Sequence, residues 1–438
     1  MTRTISGVFW IALYLVVVLA PVGLMLVPPV PSGRGFWIEF SVALGFVGLT
    51  QLAVQFVLIA RFKRVTAPYG IDVILQYHRS IAMVAIAAIL AHPLILVVDY
   101  PARLELLNPF GGNWASRAGL LSVAALLAIA VTSLYRERLR LGYERWRMWH
   151  LVLGVTAIVA AQVHVSLAGL YTNTFWKHAV WIGTAVLMVG LIVYLRVLKP
   201  ARQQAYRWQV AELRALPGDT HTLVLEPVNH AGIRFAPGQF AWLKLARSPF
   251  TLDEHPFSFA SSAERRDRIE FGIKEAGDFS RRIAAVQPGA RVFLDGPHGA
   301  FSIDRYPAVG FVFIGGGIGM TPMMSFLHTM ADRNDPRPVL LLYAEKSLDA
   351  VTYGEVVRDL EGRLALETVL VPEEAPEDWD GERGFIDAAL LDRRLPDDRA
   401  RRSYFVCGPP AMMDAVHDAL LEQGIAESQV QLERFNLA

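Results

Sequence analysis

The hydrophobic and polar positions divide the chain into two unlike parts. Before about residue 200, long apolar runs alternate with short polar loops. After it, charged residues, prolines and glycines return at the frequencies of a water-soluble α/β protein. Six apolar runs reach the roughly 20 residues that a helix needs to cross a bilayer. We place the six predicted membrane helices at 8–28, 36–60, 74–98, 118–135, 148–170 and 178–198.

The first apolar run and the loop charges predict how these helices are arranged. We interpret the first run as a retained anchor, because it is too long for a signal peptide and is followed by prolines. Lys and Arg collect on the cytoplasmic side of a membrane, so basic loops mark that side. Three alternate loops are rich in basic residues: Arg61, Lys63, Arg64, then Arg136, Arg138, Arg140, Arg145, Arg147, and finally Arg196, Lys199, Arg202. We therefore expect both ends of the chain in the cytoplasm.

Two pairs of histidines lie in the apolar part at equal spacing. His78 and His92 belong to the third predicted helix, and His150 and His164 belong to the fifth; the members of each pair are fourteen positions apart. Fourteen helical steps return a side chain to within roughly 40° of its starting face, about 21 Å further along the axis. If the two helices face each other, His78 lies level with His150, and His92 lies level with His164.

This spacing predicts two metal sites at different depths. Ionisable residues inside a membrane are costly and usually functional, so four at matched spacing favour ligation of two haems over buried packing or interfacial histidines. A structural zinc site is disfavoured, because no cysteine or carboxylate accompanies the histidines and zinc needs four ligands at one point. Cys407 is the only cysteine, which excludes disulfides within the chain and iron–sulfur clusters held by several of its cysteines.

The soluble part begins with alternating strands and then changes to a strand–helix pattern. Strands such as 221–228 and 238–245 predict a small antiparallel β-barrel. Further on, buried strands alternate with helices, which predicts a doubly wound α/β domain. These later strands are placed at 309–314, 339–344, 367–371 and around Tyr404. The predicted domains are a membrane domain at 1–200, a barrel domain at 205–303 and a nucleotide-binding domain at 307–438.

Two glycine-rich loops follow strands of the last domain. GGGIGMTP spans 315–322 and opens a helix, and CGPP begins at Cys407 and does the same. Glycines at such a turn let the backbone approach a pyrophosphate, which the helix N-terminus attracts. The G-x-G-x-x-G fingerprint is only partly met. Because strand carboxyl ends meet at the ligand crevice of such a sheet, we expect both loops to face one nucleotide.

The order of these features resembles the ferric reductase and NADPH oxidase superfamily. In that superfamily six membrane helices with two bis-histidine haems precede a module similar to ferredoxin-NADP reductase. HPFS at 255–258 is similar to its flavin-contacting motif, GDFS at 277–280 to its FAD pyrophosphate loop, and the two glycine loops to its nicotinamide nucleotide site. The resemblance covers nearly all of the chain, from the first span to Phe435, and its specificity lies in the combination of motifs.

The resemblance implies cofactors and roles for individual residues. Two haem b groups would be held by His78, His92, His150 and His164. FAD would be held by His255, Pro256, Phe257, Ser258, Gly277, Asp278, Phe279 and Ser280. NADH or NADPH would be held by Gly315, Gly316, Gly317, Gly319, Thr321, Pro322, Lys346, Cys407, Gly408 and Pro409. Three residues would lie at the reacting rings: Ser258 near flavin N5, Cys407 near the nicotinamide, and Phe435 over the flavin.

Some of these assignments stay open. Glu345 at the ribose 2′-OH would favour NADH, whereas Lys346 at a 2′-phosphate would favour NADPH. Phe435 could instead be a tail residue packed on the sheet edge, and Cys407 a plain buried thiol.

We therefore expect an NAD(P)H-dependent flavohaem oxidoreductase, multi-pass in a bacterial inner or plasma membrane, with its soluble domains in the cytoplasm. Electrons would pass through FAD and the two haems to a small-molecule acceptor at the outer face, an Fe(III) chelate or oxygen; a quinone or a haem protein would also fit. Membrane lipid is the other expected partner, and no protein partner is required. The net charge of +1 says nothing about nucleic acid, but the sequence has no dense basic patch with interleaved aromatic residues, so we do not expect nucleic-acid binding.

Two alternatives from other classes remain. The chain could be a haem-free membrane flavoprotein that reduces a cytoplasmic partner, or a cytochrome subunit that relays electrons within a larger complex.

Overall fold

A computed structural model describes residues 3–62 and 71–434, with side chains from residue 8 and, after the gap, from residue 73. The chain forms two compact units, Met1–Lys199 and Pro200–Ala438. The loop residues Lys63 and Arg64 and the predicted flavin-covering residue Phe435 lie outside the described residues.

The first unit consists mainly of six long helices, which confirms the six predicted spans. Each is long and apolar enough to cross a membrane. They are α1 (Arg3–Met25), α2 (Phe36–Leu58), α3 (Ile71–Asp99), α4 (Trp114–Leu134), α5 (Tyr143–Ala168) and α6 (Phe175–Val193). A 3-10 helix, Pro101–Leu107, follows α3, and a π turn, Tyr194–Leu198, leads from α6 into the short helix α7 (Lys199–Gln203). Helix α5 starts earlier than the predicted 148, because its first turn carries charged residues that a hydropathy pattern leaves out.

Small and hydroxyl side chains let these helices approach closely. At Gly48 of α2, an added Cβ would lie 2.5 Å from Ile89 Cγ1 and 3.1 Å from the Ala85 carbonyl oxygen of α3. Between α4 and α5, the Ser122 hydroxyl donates to the Ala157 carbonyl at 2.8 Å. Close packing and interhelical hydrogen bonds are the interactions that hold helices together where lipid replaces water.

The second unit begins with an antiparallel sheet of six strands. They are β1 (Trp208–Leu216), β2 (Thr220–Pro227), β3 (Phe240–Leu245), β4 (His255–Ser258), β5 (Ile269–Lys274) and β6 (Arg291–His298), in the order β4-β3-β6-β1-β2-β5. The core contains the fully buried Leu223, Phe259 and Phe271. A short helix, α8 (Asp278–Ile283), follows β5.

A parallel sheet of five strands follows, with helices on both faces. The strands are β7 (Phe311–Gly316), β8 (Val339–Ser347), β9 (Leu366–Glu374), β10 (Ser403–Cys407) and β11 (Val430–Glu433), in the order β11-β10-β7-β8-β9. Helices α9 (Met320–Asp332) and α10 (Gly354–Glu361) cover one face, and α11 (Ala388–Arg394) and α12 (Pro410–Glu422) cover the other. The predicted fold class, with a helical membrane domain, an antiparallel barrel-type sheet and a doubly wound α/β domain, is therefore confirmed.

The close contact at Gly48 makes a prediction about stability. Gly48→Ala should lower the free energy of unfolding by about 1–3 kcal/mol, because the new methyl group overpacks the α2–α3 contact. Gly190→Ala is the matched control, since no described atom lies within 4 Å of a Cβ built there on α6. Thermal unfolding of the detergent-solubilised protein measures both, and equal shifts would contradict the packing argument.

Candidate functional site

Helices α3 and α5 bring the four membrane histidines together as two pairs. The ring centroids of His78 and His150, the first pair, are 6.2 Å apart, and those of His92 and His164, the second pair, are also 6.2 Å apart. Metal–imidazole bonds of about 2.0–2.1 Å put two opposed nitrogens about 4 Å apart, and the ring halves add about 1 Å on each side. The spacing of both pairs therefore fits one metal ion between the rings.

In the second pair, neighbouring helices fix the orientation of both rings. The Nδ1–H of His92 donates to the Ser41 carbonyl of α2 at 2.9 Å, and that of His164 donates to the Ala115 carbonyl of α4 at 2.8 Å. A carbonyl oxygen only accepts, so Nδ1 carries the hydrogen in both rings. The Nε2 lone pair is left for a metal, and the hydrogen bond raises its basicity.

Glycines on α2 and α4 make room for these rings. An added Cβ at Gly45 would lie 3.4 Å from His92 Cγ, and one at Gly119 would lie 3.0 Å from His164 Nδ1. A Cβ at Gly119 would require the His164 ring to shift by a few tenths of an ångström, whereas one at Gly45 would lie at van der Waals contact with the His92 ring. The glycines therefore belong to the candidate metal site, although they ligate nothing.

In the first pair, only the ring of His150 has a hydrogen-bond partner among the described residues, and that partner is a side chain. The hydroxyl of Ser133, on α4, lies 3.3 Å from His150 Nδ1 and accepts from the indole N–H of Trp146 at 3.3 Å. The Nδ1 of His78 is buried and has no hydrogen-bond partner in the described parts of the chain.

The HPFS and GDFS segments lie together in the second unit. HPFS forms β4, and the ring of His255 lies 4.3 Å from that of Phe279. The buried hydroxyl of Ser258 has no partner among the residues that the structure describes, so a ligand with polar ring atoms fits there. Ser280 Oγ accepts from the amides of Ala276 and Gly277, at 2.8 and 2.9 Å, and holds the loop in shape. Asp278 is exposed and paired with Arg281.

The two glycine loops meet at the carboxyl edge of the parallel sheet. Cys407 pairs with Gly315 across β10 and β7. At Gly319, an added Cβ would lie 2.2 Å from the Cys407 carbonyl oxygen and 2.7 Å from the Gly408 amide nitrogen. Only glycine fits that position. Gly316 closely approaches Pro409, since its added Cβ would lie 3.2 Å from the proline ring.

Thr321 and Pro322 are buried in the first turn of α9. The hydroxyls of Thr321 and Tyr353 lie close to Gly272 of β5. A Cβ added at Gly272 would lie 2.6 Å from the Thr321 hydroxyl oxygen and 2.1 Å from that of Tyr353. Burial raises the pKa of Tyr353 to about 12, so this group remains a neutral phenol. Thr321 therefore packs against the antiparallel sheet in addition to opening the helix.

The two residues that bear on the choice of coenzyme lie in different surroundings. An added Cβ at Gly317 would lie 4.0 Å from Glu345 Oε1, and burial raises the pKa of the Glu345 carboxyl. Lys346 points into solvent, and its Nζ lies 3.8 Å from a Glu374 carboxylate oxygen. Glu345 is therefore the nearer of the two to the glycine loop.

Sequence reasoning missed the groups that orient the histidines: Ser41, Ala115 and Ser133. One signal was available, because Gly119 and Ser133 are separated by the same interval as the two histidines of each pair. The Ala115 contribution is a backbone carbonyl, which no side-chain pattern reveals.

The contact at Gly319 predicts an effect on coenzyme binding. Gly319→Ala should raise the KM for NAD(P)H about tenfold, equivalent to roughly 1.4 kcal/mol, because the methyl group displaces the CGPP loop. Steady-state reduction of ferricyanide measures it. Gly362→Ala is the control, since its Cβ would meet only the Asp359 carbonyl at 3.5 Å. An unchanged KM in the Gly319 variant would contradict the proposed loop contact.

Cys407 should resist alkylation in the native protein. It is fully buried, and burial, with Glu433 nearby, raises the pKa of its thiol, so the reactive thiolate is scarce at neutral pH. We expect no iodoacetamide adduct on the folded protein and one after denaturation, both measured by mass spectrometry. Rapid modification of the folded protein would show that the thiol is accessible and ionised.

Three family models match successive parts of the chain. Ferric reductase like transmembrane component matches 44–161, FAD-binding domain matches 205–302, and oxidoreductase NAD-binding domain matches 313–418. The first covers α3 and most of α5, with His78, His92 and His150 but not His164, and the other two cover the remaining motifs.

The curated relatives match about half of the chain. The reductase component of propane 2-monooxygenase from Rhodococcus jostii (strain RHA1) is 30% identical over 241 residues, 53% of this chain and 64% of that protein. The same component from Mycolicibacterium smegmatis is 29% identical over 242 residues, 53% of this chain and 68% of that protein. One subunit of the Na(+)-translocating NADH-quinone reductase from Psychrobacter cryohalolentis is 32% identical over 197 residues, 41% of this chain and 48% of that protein. The chain thus spans about half to two thirds of the length of these relatives.

Two solved structures are similar to about half of the chain. The flavohem-like FAD/NAD-binding domain of nitric oxide dioxygenase from Vibrio cholerae O1 biovar El Tor is 22% identical, with 52% of this chain and 98% of that chain covered and a TM-score of 0.47. The ferredoxin reductase in carbazole 1,9a-dioxygenase is 27% identical, with 52% and 69% covered and a TM-score of 0.47.

The membrane component and the two nucleotide-binding domains follow one another in a single chain. The chain therefore joins a ferric-reductase-like transmembrane component to an FAD-binding domain and an oxidoreductase NAD-binding domain, which is the architecture of ferric reductase and NADPH oxidase-like proteins.

Proposed function

We propose that the protein carries electrons from NAD(P)H through FAD and two bis-histidine b-type haems to an acceptor on the other side of the membrane. The observation that supports this proposal most strongly is that the histidines form two facing pairs, His78 with His150 and His92 with His164, each with ring centroids 6.2 Å apart. Two histidines that held one iron between them would need about this separation. The helical interval between the histidines sets the two pairs about 21 Å apart along the helix axis. An Fe(III) chelate or oxygen is the proposed acceptor.

The two types of cofactor divide the chemistry. FAD, when bound, accepts a hydride and releases electrons singly, and haem iron accepts them one at a time. The chain's own part is to hold these groups. The four histidines would ligate the irons, the buried Ser258 hydroxyl would hydrogen-bond the flavin, and the loops at Gly319 and Cys407 would bind the nicotinamide nucleotide.

The direction of transfer is inferred from the charge of the loops. The loop between α4 and α5 and the first turns of α5 carry five arginines at 136–147, which favours the cytoplasmic side. His150 comes soon after these arginines on α5, so the first pair would be the cytoplasmic one, and the second pair would lie toward the outer face. In this proposal the second unit is cytoplasmic, in a bacterial inner or plasma membrane, and a small-molecule acceptor and lipid are the only partners needed.

Haem content tests the ligand assignment directly. We expect two haems per chain in the purified protein and a bis-histidine spectrum on reduction. His92→Leu and His164→Leu should each reduce the content to one haem, and His178→Leu, the fifth histidine of the first unit, should leave two. Reduction of ferricyanide by NAD(P)H should persist in all three variants, since the flavin site is intact. A haem content unchanged by the His92 and His164 substitutions would contradict the assignment.

Electron delivery separates the proposal from its alternatives. NADH or NADPH is added anaerobically to detergent-purified protein with FAD, and haem reduction is followed by reoxidation with oxygen or an Fe(III) chelate. Protein without haem would favour a flavoprotein reductase of a soluble partner. Protein whose haem is not reduced by NAD(P)H would favour a relay subunit of a larger complex.

A further inference from the structure

Several buried polar atoms of the first unit have no hydrogen-bond partner within the described ranges 3–62 and 71–434, and two groups among them lie on the neighbouring helices α2 and α3. One is the Nδ1 of His78 on α3, and the other is the side-chain amide of Gln55 on α2, of which both Nε2 and Oε1 are unpaired. Gln55 is only 5% exposed. A buried amide without a partner is destabilising, and in a membrane helix lipid offers it none.

The contacts between α2 and α3 place Gln55 at the level of His78. The helices are antiparallel, since Ser41 contacts His92 while Gly48, further along α2, approaches Ala85, earlier on α3. Gln55 comes after Ser41 by the same interval that separates His78 from His92. Both displacements are about 21 Å along a helix axis and end within roughly 40° of the starting face. Gln55 on α2 therefore occupies the same position relative to His78 on α3 as Ser41 occupies relative to His92.

The neighbouring helix pair repeats this relation. On α4, Gly119 approaches His164, and after the same interval along that helix Ser133 lies 3.3 Å from His150 Nδ1. Helix α4 thus supplies an Nδ1 partner at both levels and α2 supplies one for His92, and Gln55 occupies the fourth position of the set. The other three histidines have their partners in the structure.

We infer that Gln55 is the positioning residue of His78, with its amide oxygen accepting a hydrogen bond from the His78 Nδ1–H. This bond is not formed in the structure, and it requires the Gln55 side chain to change rotamer toward α3. Packed helices have axes about 8–10 Å apart, a distance that a long side chain such as glutamine bridges. The inference rests on the proposed haem ligation and deepens it.

The expected consequence is control of the reduction potential at the first pair. A hydrogen bond from Nδ1 fixes the tautomer, leaves Nε2 as the ligand and makes it more basic. A more basic ligand favours oxidised iron, so the contact would lower the potential of the first pair's haem. That change favours transfer of an electron onward to the second pair.

Three variants of the full-length, haem-loaded protein test this inference. Gln55→Leu should raise the midpoint potential of one haem, and Gln55→Glu, with a stronger acceptor, should lower it. Gln51→Leu is the matched control one turn away; Gln51 donates to the Tyr14 hydroxyl at 3.1 Å, so its loss should move neither potential. Anaerobic spectroelectrochemical titration measures both haems, and electron paramagnetic resonance of the ferric state reports the ligand field. In a His92→Leu background the shift should persist, because only the first pair's haem remains.

The outcomes separate this inference from the function on which it rests. Purified protein without bis-histidine haem would overturn the proposed function and the role of Gln55 together. Two haems whose potentials and ferric spectra are unchanged by both Gln55 substitutions would overturn the role of Gln55 alone. If Gln55→Leu fails to fold, Gln55→Glu still decides, since a lowered potential supports the inference and an unchanged one overturns it.

Discussion

The arrangement of the first unit depends on satisfying both nitrogens of an imidazole inside an apolar helix bundle. One nitrogen of each ring is available to a metal in the gap between the paired rings. The other must find an acceptor on an adjacent helix, because lipid provides none. This requirement is consistent with the positions of Gly45 and Gly119, which let the acceptor backbones of α2 and α4 lie close to His92 and His164. The hydrogen bonding of the histidine rings and the packing of the neighbouring helices therefore constrain each other.

The second unit meets a comparable constraint at the edge of its parallel sheet. Strands β7 and β10 are neighbours, so the loops after them must share one small volume. Gly319 resolves the crowding by presenting no side chain to the Cys407 carbonyl, and the backbone groups of both loops remain near the edge where a nucleotide binds in such sheets. The role of the glycines is thus as much to fit one loop against the other as to approach a phosphate.

Features that depend on rigid periodicity were predictable from the sequence, and those that depend on neighbouring helices were not. The regular spacing of the histidines predicted which of them pair, because a helix fixes both rise and rotation. The acceptors at Ser41 and Ala115 were missed, since they depend on which helix packs beside which. The sequence left Glu345 and Lys346 as alternatives and did not reveal how different the surroundings of the two side chains are. Strand β8 runs on to Ser347, beyond the predicted end at 344, and alternation along a strand turns adjacent side chains to opposite faces.

The two histidine pairs differ in a way that bears on control of the proposed electron path. Backbone carbonyls of Ser41 and Ala115 accept from the two rings of the second pair, and the Ser41 hydroxyl also lies 2.9 Å from His92 Nδ1. In the first pair the His150 partner is the side chain of Ser133, and Gln55 occupies the corresponding position for His78. Side chains can be replaced and can change rotamer. In the proposed path the potential of the second site therefore depends mainly on backbone groups, whereas that of the first site depends on side chains and is more easily adjusted by sequence. A more adjustable first site is the better placed of the two to match the flavin that supplies it while staying below the potential of the second site.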